Sequence, residues 1–371
     1  MVEMGRAEGD ASAQAGAVKQ REMTINGRRI ADDTPAYIIA EIGHNHGGSL
    51  EKALSMVDTA VTSGADAVKF QTRFPGEVYA PGTQPGAYGA RSENPHWLDK
   101  IYGVHREKLE FTPHQWEELF AYCSHKGVTA FSTPFDFRSL ELLGRLGVPA
   151  LKIASGDATN IPLIERAAQV GVPLIISTGG CETAEVDMVA EAVSATGTSF
   201  ALLQCSCIYP APDDVMNLRV IETYRRRYPG VVTGLSTHSP GWAPTLAAFA
   251  LGGRIFEHHY TNDRQWKGTD NHFSLTPQSL AELRAACDAV LPALGDGVKT
   301  QDPRERSYTV ERRKSLYWRR TVDAGETVTA ADFIPLCPGE GIPPYALPRL
   351  NGCRTARAVS ELTRVEWQDF A

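Results

Sequence analysis

The segment AYIIAEIGHNHGGSLEKALSMVDTAVTSGADAVKFQ, residues 36–71, decides the fold. Two apolar, β-prone runs, 36–41 and 66–71, flank a helical pattern at 49–63. Both runs are apolar almost throughout rather than alternating, which is the mark of a parallel strand covered on both faces. The first run stops at a carboxylate, Glu41, followed by His44, Asn45, His46 and two glycines. The second carries Lys69 and Gln71.

Working outward, the same unit recurs. Strands are expected at 36–41, 66–71, 127–132, 149–154, 173–178, 200–205, 231–236 and 254–260. Helices are expected near 49–63, 113–126, 137–146, 160–170, 182–195, 214–227, 242–251 and 277–293. Eight such units fit a (β/α)8 TIM barrel better than an open sheet. No G-x-G-x-x-G follows the first strand, which weakens a dinucleotide-binding reading. In the flanks, residues 1–21 read as a disordered leader, and Asn26-Gly27 marks a hairpin that could plug one end of the barrel. The barrel domain then spans 22–295. The longest connection, 73–112, contains PGEVYAPGTQPGAYGARSENPHW and is long enough to be functional or mobile. Residues 296–311 read as an irregular linker. Residues 312–371 form a small β-rich piece, short for an independent core and therefore expected to dock on another surface.

Composition narrows the function class. The 371 residues are 42% hydrophobic and 22% charged, with a net charge of −7. No global basic field points to nucleic acid. No apolar run has the length of a membrane span, and residues 1–20 lack the apolar core of a secretory signal. Seven scattered cysteines suit cytosolic thiols better than a disulfide framework, so a cytoplasmic protein is expected. An anionic ligand would need local cations.

Barrel chemistry sits where strands end, and all eight expected strand ends carry polar side chains. Alternation along a strand groups Lys69 with Gln71, Ser236 with His238, and Glu257 with His259. All of these can face the barrel mouth together, while His258 should face the helices. Two neutral imidazoles on adjacent strands, His238 and His259, can share a cation beside Glu41 and Asp270. A hard divalent ion, Mn²⁺ or Mg²⁺, fits better than structural zinc. The bland alternative is a pair of hydrogen-bonded core histidines. Cys205 and Cys207 of the CSC run are read as split between two faces and structural. Lys69 and Lys152 are ammoniums inside apolar strands, where charges need partners. Three readings stay open: ion pairs with Glu41 or Asp157, an anion clamp with the hydroxyls of Thr133, Ser155, Ser177 and Ser236, or a Schiff-base lysine.

Seven motifs in order, AEIGHNHGG, GADAVKFQ, STPFD, LKIASGD, IISTGG, GLSTHS and EHHYT…GTDNHFSL, resemble the sialic acid synthase family. Its members join phosphoenolpyruvate to an amino-sugar aldehyde. The resemblance runs from about residue 23 to the C-terminus, where the last segment is similar to the family's small antifreeze-like (SAF) domain. It implies that Lys69, Thr133, Lys152, Ser155, Ser177 and Ser236 hold phosphoenolpyruvate. It implies His238 and His259 as metal ligands and Glu41 as the residue that handles the attacking water, with Lys69 and Lys152 stabilising charge. Gln71, Asp157, Tyr209 and Asp270 would face the sugar, and Asn45 and His46 would shape the sugar and water side. A domain-swapped homodimer is implied as well.

Two departures stand out. Cys207 stands where many bacterial members have Asn. In PLCPGEGIPP, Cys337 replaces an Arg that reaches the acceptor's acyl group, so the acceptor is expected to differ from N-acetylmannosamine. Arg73 and Arg91 of the long loop are candidates for compensating contacts. A class I aldolase using Lys152 and a non-catalytic sugar-binding barrel are the rival functions.

Overall fold

The computed structural model describes residues 20–371, so residues 1–19 of the expected leader lie outside the described residues. The chain divides into two compact units, ending and beginning at Gly295 and Asp296.

The first unit opens with a hairpin of β1 (Glu22–Ile25) and β2 (Arg28–Ala31). Asn26 and Gly27 both have positive φ, 48° and 78°, as a tight two-residue turn between twisted strands requires. Met23, Ile25 and Ile30 are buried in the same core as the barrel residues Tyr37 and Phe131. Arg254, just ahead of the last barrel strand, donates to the Asp32 carbonyl at 3.0 Å. The hairpin thus closes the end where the strands begin.

Eight parallel strands follow: β3 (Tyr37–Gly43), β4 (Ala67–Thr72), β5 (Thr129–Pro134), β6 (Leu151–Ile153), β7 (Leu174–Ser177), β8 (Phe200–Gln204), β9 (Val232–Thr237) and β10 (Ile255–His259). They close in sequence order, β10 pairing with β3. Every residue of β3 is buried, as a strand covered on both faces must be. Ile38, Ala40 and Ile42 pack with Ala53, Met56, Val57 and Ala60 of helix Leu50–Thr62. These four helical positions recur at a spacing of three to four and make one apolar stripe. Ser49 caps that helix by accepting from the Lys52 amide. Glu41, of the other parity, is left to the barrel interior. The 73–112 connection contains two short helices, Pro75–Val78 and Tyr102–Glu107, and folds over the ends of the strands. No helix among the described residues is long and apolar enough to cross a membrane.

The second unit has an antiparallel pair, β11 (Ser315–Trp318) and β12 (Phe333–Leu336). The expected irregular linker includes the short helix Arg306–Arg312. Despite its length the unit buries a core of its own, with Leu316, Trp318, Val328, Phe333, Leu350 and Val365. Asp369 ties it together by accepting from the Trp318 indole at 3.2 Å and from Arg357 at 2.6 Å.

Candidate active site

The ends of the barrel strands surround a cavity of about 770 Å³. Its lining includes Glu41, Lys69, Gln71, Thr133, Lys152, Ser155, Asp157, Ser177, Tyr209, Ser236, His238, His259 and Asp270. That brings together every candidate except Asn45 and His46. These two lie in the turn after β3, where strand alternation no longer sets direction. Asn45 donates to the Tyr260 carbonyl and the Ser274 hydroxyl, both at 2.9 Å. His46 stacks on Phe111 at 4.3 Å and accepts from the Gly48 amide. Neither lines the cavity. His258 faces the helix layer as alternation requires, against Thr245.

At the floor, Lys69 Nζ lies 2.8 Å from Glu41 Oε2, 2.8 Å from Thr133 Oγ1 and 3.6 Å from Glu257. Lys152 lies 3.9 Å from Glu257 and donates to the Ile153 carbonyl. Its carboxylate neighbour is therefore Glu257, not Asp157, which instead accepts from Asn160. Two buried ammoniums face two buried carboxylates. Burial pushes Glu41 up, against the pull of Lys69 and with the charge of Glu257 adding to the rise. Burial acts on Glu257 too, but Lys152 and Lys69 together outweigh it and hold that carboxyl low. Burial pushes Lys152 down. The Ser177 hydroxyl is buried, lines the cavity and has no hydrogen-bond partner, so it is free to donate to a ligand.

A register shift between β3 and β4 falls at Glu41 and Gly43. A bulge here re-aims the chain at the strand end. Gly43 has φ +52°, and a Cβ would stand 3.0 Å from Glu41 Oε1 and 3.2 Å from Gln71 Nε2. A side chain here would be strained by that φ and would press on the Gln71-to-Glu41 hydrogen bond, 2.9 Å.

Cys205 and Cys207 both line the cavity, which corrects the split reading: residues two apart share a face, and the pair is not merely structural. A Cβ on Gly179 would meet Cys207 Sγ at 2.5 Å, Ser155 Oγ at 2.8 Å and Cys205 Sγ at 3.2 Å. Glycine lets the backbone reach Ser155, which accepts from the Gly179 amide at 3.0 Å. Hydrogen bonding from Cys205, and further from Ser155, with the Lys152 charge nearby, lowers the Cys207 thiol to about 6.

The rings of His238 and His259 lie 5.3 Å apart. His238 Nδ1 donates to the Ser206 carbonyl at 2.9 Å, which leaves Nε2 with a lone pair. Burial lowers His238 to about 4, so it is neutral at pH 7. His259 Nδ1 is buried without a hydrogen bond, 3.4 Å from Asp270. No group of three or more His, Cys, Asp or Glu among the described residues is set closely enough to cage an ion. Two imidazoles beside a carboxylate side chain fit a catalytic cation with open positions rather than a closed structural one.

Several lining residues were not anticipated: Tyr79, His96, Tyr102 and Arg106 all come from the long connection. Arg73 continues the Lys69, Gln71 parity and lines the cavity; Arg91 instead bridges to Ile101.

The model of the NeuB family matches residues 56–299. The N-acetylneuraminate-9-phosphate synthase of Mus musculus is 35% identical over 337 residues, 90% of this chain and 92% of that protein. The N,N'-diacetyllegionaminic acid synthase of Legionella pneumophila is 32% identical, covering 90% of this chain and 94% of that one. Among solved structures, the sialic acid synthetase of Leptospira borgpetersenii in complex with citrate superposes with a TM-score of 0.69 at 33% identity, covering 78% of this chain and 95% of that one. The chain belongs to the NeuB family.

Proposed function

We propose that this enzyme condenses phosphoenolpyruvate with a sugar aldehyde, giving a 3-deoxy-2-keto sugar acid of the nonulosonate type and phosphate. The carrying observation is the buried Glu41–Lys69 pair at 2.8 Å on the cavity floor. A base raised by burial beside a cation suits the delivery of water to a carbon attached to phosphate. Lys69, Lys152, Thr133, Ser155, Ser177 and Ser236 bind the phosphate and carboxylate of phosphoenolpyruvate. Its C3 bonds to the aldehyde carbon, whose oxygen takes a proton. C2 becomes electron-poor, and Glu41 takes a proton from the water that adds there. The tetrahedral product then expels phosphate with cleavage of the C2–O bond, leaving the ketone. Gln71, Asp157, Tyr209 and Asp270 hold the sugar. His238 and His259 would hold Mn²⁺ or Mg²⁺, which when bound polarises the aldehyde.

Cys337 lacks a guanidinium's fork of donors, and a thiol is only a weak donor to an acyl oxygen; it is exposed within the second unit. The acceptor is therefore an aldose other than N-acetylmannosamine. Phosphate release from phosphoenolpyruvate across a panel of aldoses, amino sugars and sugar phosphates tests the reading; release with none of them, metal supplied, contradicts it. Lowered basicity at Lys152 favours one rival, a Schiff-base aldolase. Borohydride trapping of a carbonyl substrate on Lys152 would establish that rival instead.

All seven cysteines are free, which supports a reducing, cytoplasmic setting. A homodimer in which residues 312–371, the SAF-like segment, cover the partner's barrel mouth completes the proposal. A fully active species that sediments only as monomer would contradict it.

A further inference from the structure

Two arginines, Arg73 and Arg106, line the cavity above the floor of lysines and carboxylates. Arg73 is 4% exposed, and its closest carboxylate contact is Nε to Glu110 at 3.8 Å. Glu110 is already engaged, accepting the Arg73 amide at 3.1 Å and facing His44 Nε2 at 2.9 Å. Arg106 makes no ion pair among the described residues. Both guanidiniums point Nη1 at one atom, His44 Nδ1, at 3.2 and 3.3 Å. Two cations sharing one neutral acceptor is a poor resting arrangement. The Nε of each is buried with no hydrogen-bond partner. Burial, with the Arg106 charge beside it, pushes Arg73 below its ordinary range. A half-buried cation with no ion pair, as Arg106 is, can draw its counter-charge from a ligand.

Their position relative to the floor is set by β4. Lys69, Gln71 and Arg73 share a face, and each two-residue step rises about 7 Å. Gln71 links them: its Nε2 donates to Glu41 and its Oε1 accepts from Arg73 Nη2 at 2.6 Å. The arginines therefore lie on the acceptor side of the floor, away from Lys152. Around them stand Tyr79, Tyr102, whose hydroxyl accepts from Arg106 at 3.1 Å, and His96. Two planar forks and two phenols offer more donors than a carboxylate's two oxygens take up, and match three terminal phosphate oxygens.

We infer that Arg73 and Arg106 form a phosphomonoester subsite, so that the acceptor is a sugar phosphate bound by the end remote from its aldehyde. The inference rests on the condensation reading but has its own test. Calorimetry with mannose 6-phosphate, mannose and mannuronate, on the wild type, Arg106→Met and Lys152→Met, reads it directly. The phosphate ester is expected to bind about tenfold to hundredfold tighter than mannose. Arg106→Met removes that advantage and Arg106→Lys retains part of it. Lys152→Met keeps it, because the ester does not occupy the place of phosphoenolpyruvate. Equal binding of mannose or mannuronate, persistence of the advantage in Arg106→Met, or its loss in Lys152→Met overturns the subsite. Turnover that shows no preference for phosphorylated aldoses overturns the subsite and leaves the reaction standing. An Arg106-dependent advantage without any phosphate release from phosphoenolpyruvate leaves the subsite and overturns the reaction.

Discussion

Glu41 Oε2 and Lys69 Nζ meet at 2.8 Å on the floor of the barrel, both side chains almost wholly buried. One is the proposed base and the other part of the proposed anion clamp, so removing each should damage a different step.

Glu41→Gln should lower kcat by about 10²–10⁴-fold with little change in phosphoenolpyruvate affinity. The base must be ionised to take a proton. Because burial raises its pKa, activity should fall as pH drops through a value above the ordinary carboxylate range. The pH–rate profile of the wild type should show this acidic limb, and the variant should lack it. An unchanged limb in Glu41→Gln would reassign the base.

Lys69→Met and Lys152→Met each strip a cation from the clamp and leave Glu41 or Glu257 less compensated. Truncating one partner of a buried charge pair costs about 2–5 kcal/mol, so phosphoenolpyruvate should bind tens to thousands of times more weakly. Near-normal dissociation constants in calorimetry for both would remove the lysines from the site.

Chelation should abolish turnover, and Mn²⁺ or Mg²⁺ should restore it. His238→Ala and His259→Ala should lose metal uptake, measured on the purified protein by elemental analysis, while keeping the circular dichroism of the fold. Full metal content in both variants would place the ion elsewhere.

Cys207 should behave as a thiolate at neutral pH. Its alkylation by iodoacetamide should speed up as pH rises through about 6 and then level off. Phosphoenolpyruvate should slow the reaction, since Cys207 shares the cavity with Ser155 and Lys152. A rate that climbs only above pH 8, or one indifferent to phosphoenolpyruvate, would contradict this environment.

Much of this site was legible because a parallel barrel converts parity into direction. Glu41, Lys69, Gln71, Lys152, His238 and His259 all sit on strands or one residue beyond, and each lines the cavity. Parity ceases to fix direction where the strand stops. Asn45 and His46 belong to a turn, and their side chains turn into the protein to meet Tyr260 and Phe111. Cys205 and Cys207, two residues apart, share a face and both reach the cavity, as a period of two requires. The pairing of Lys152 with Glu257 joins two non-neighbouring strands, β6 and β10, and appears only once the barrel closes. Arg106 lies more than thirty residues beyond β4 in the chain, and nothing local to Tyr102–Glu107 marks it as a cavity residue. Arg73 was the one available hint, since it extends the parity of Lys69 and Gln71.

The bond that breaks in phosphoenolpyruvate tests the central claim most directly. Phosphoenolpyruvate labelled with ¹⁸O in the oxygen bridging C2 and phosphorus is turned over with the acceptor, and the released phosphate is analysed by mass spectrometry. Condensation by way of water addition at C2 predicts that the label leaves with the phosphate, and that solvent oxygen enters the keto group of the sugar acid. Label retained in the organic product, with solvent oxygen in the phosphate, would mean attack at phosphorus and would contradict the account.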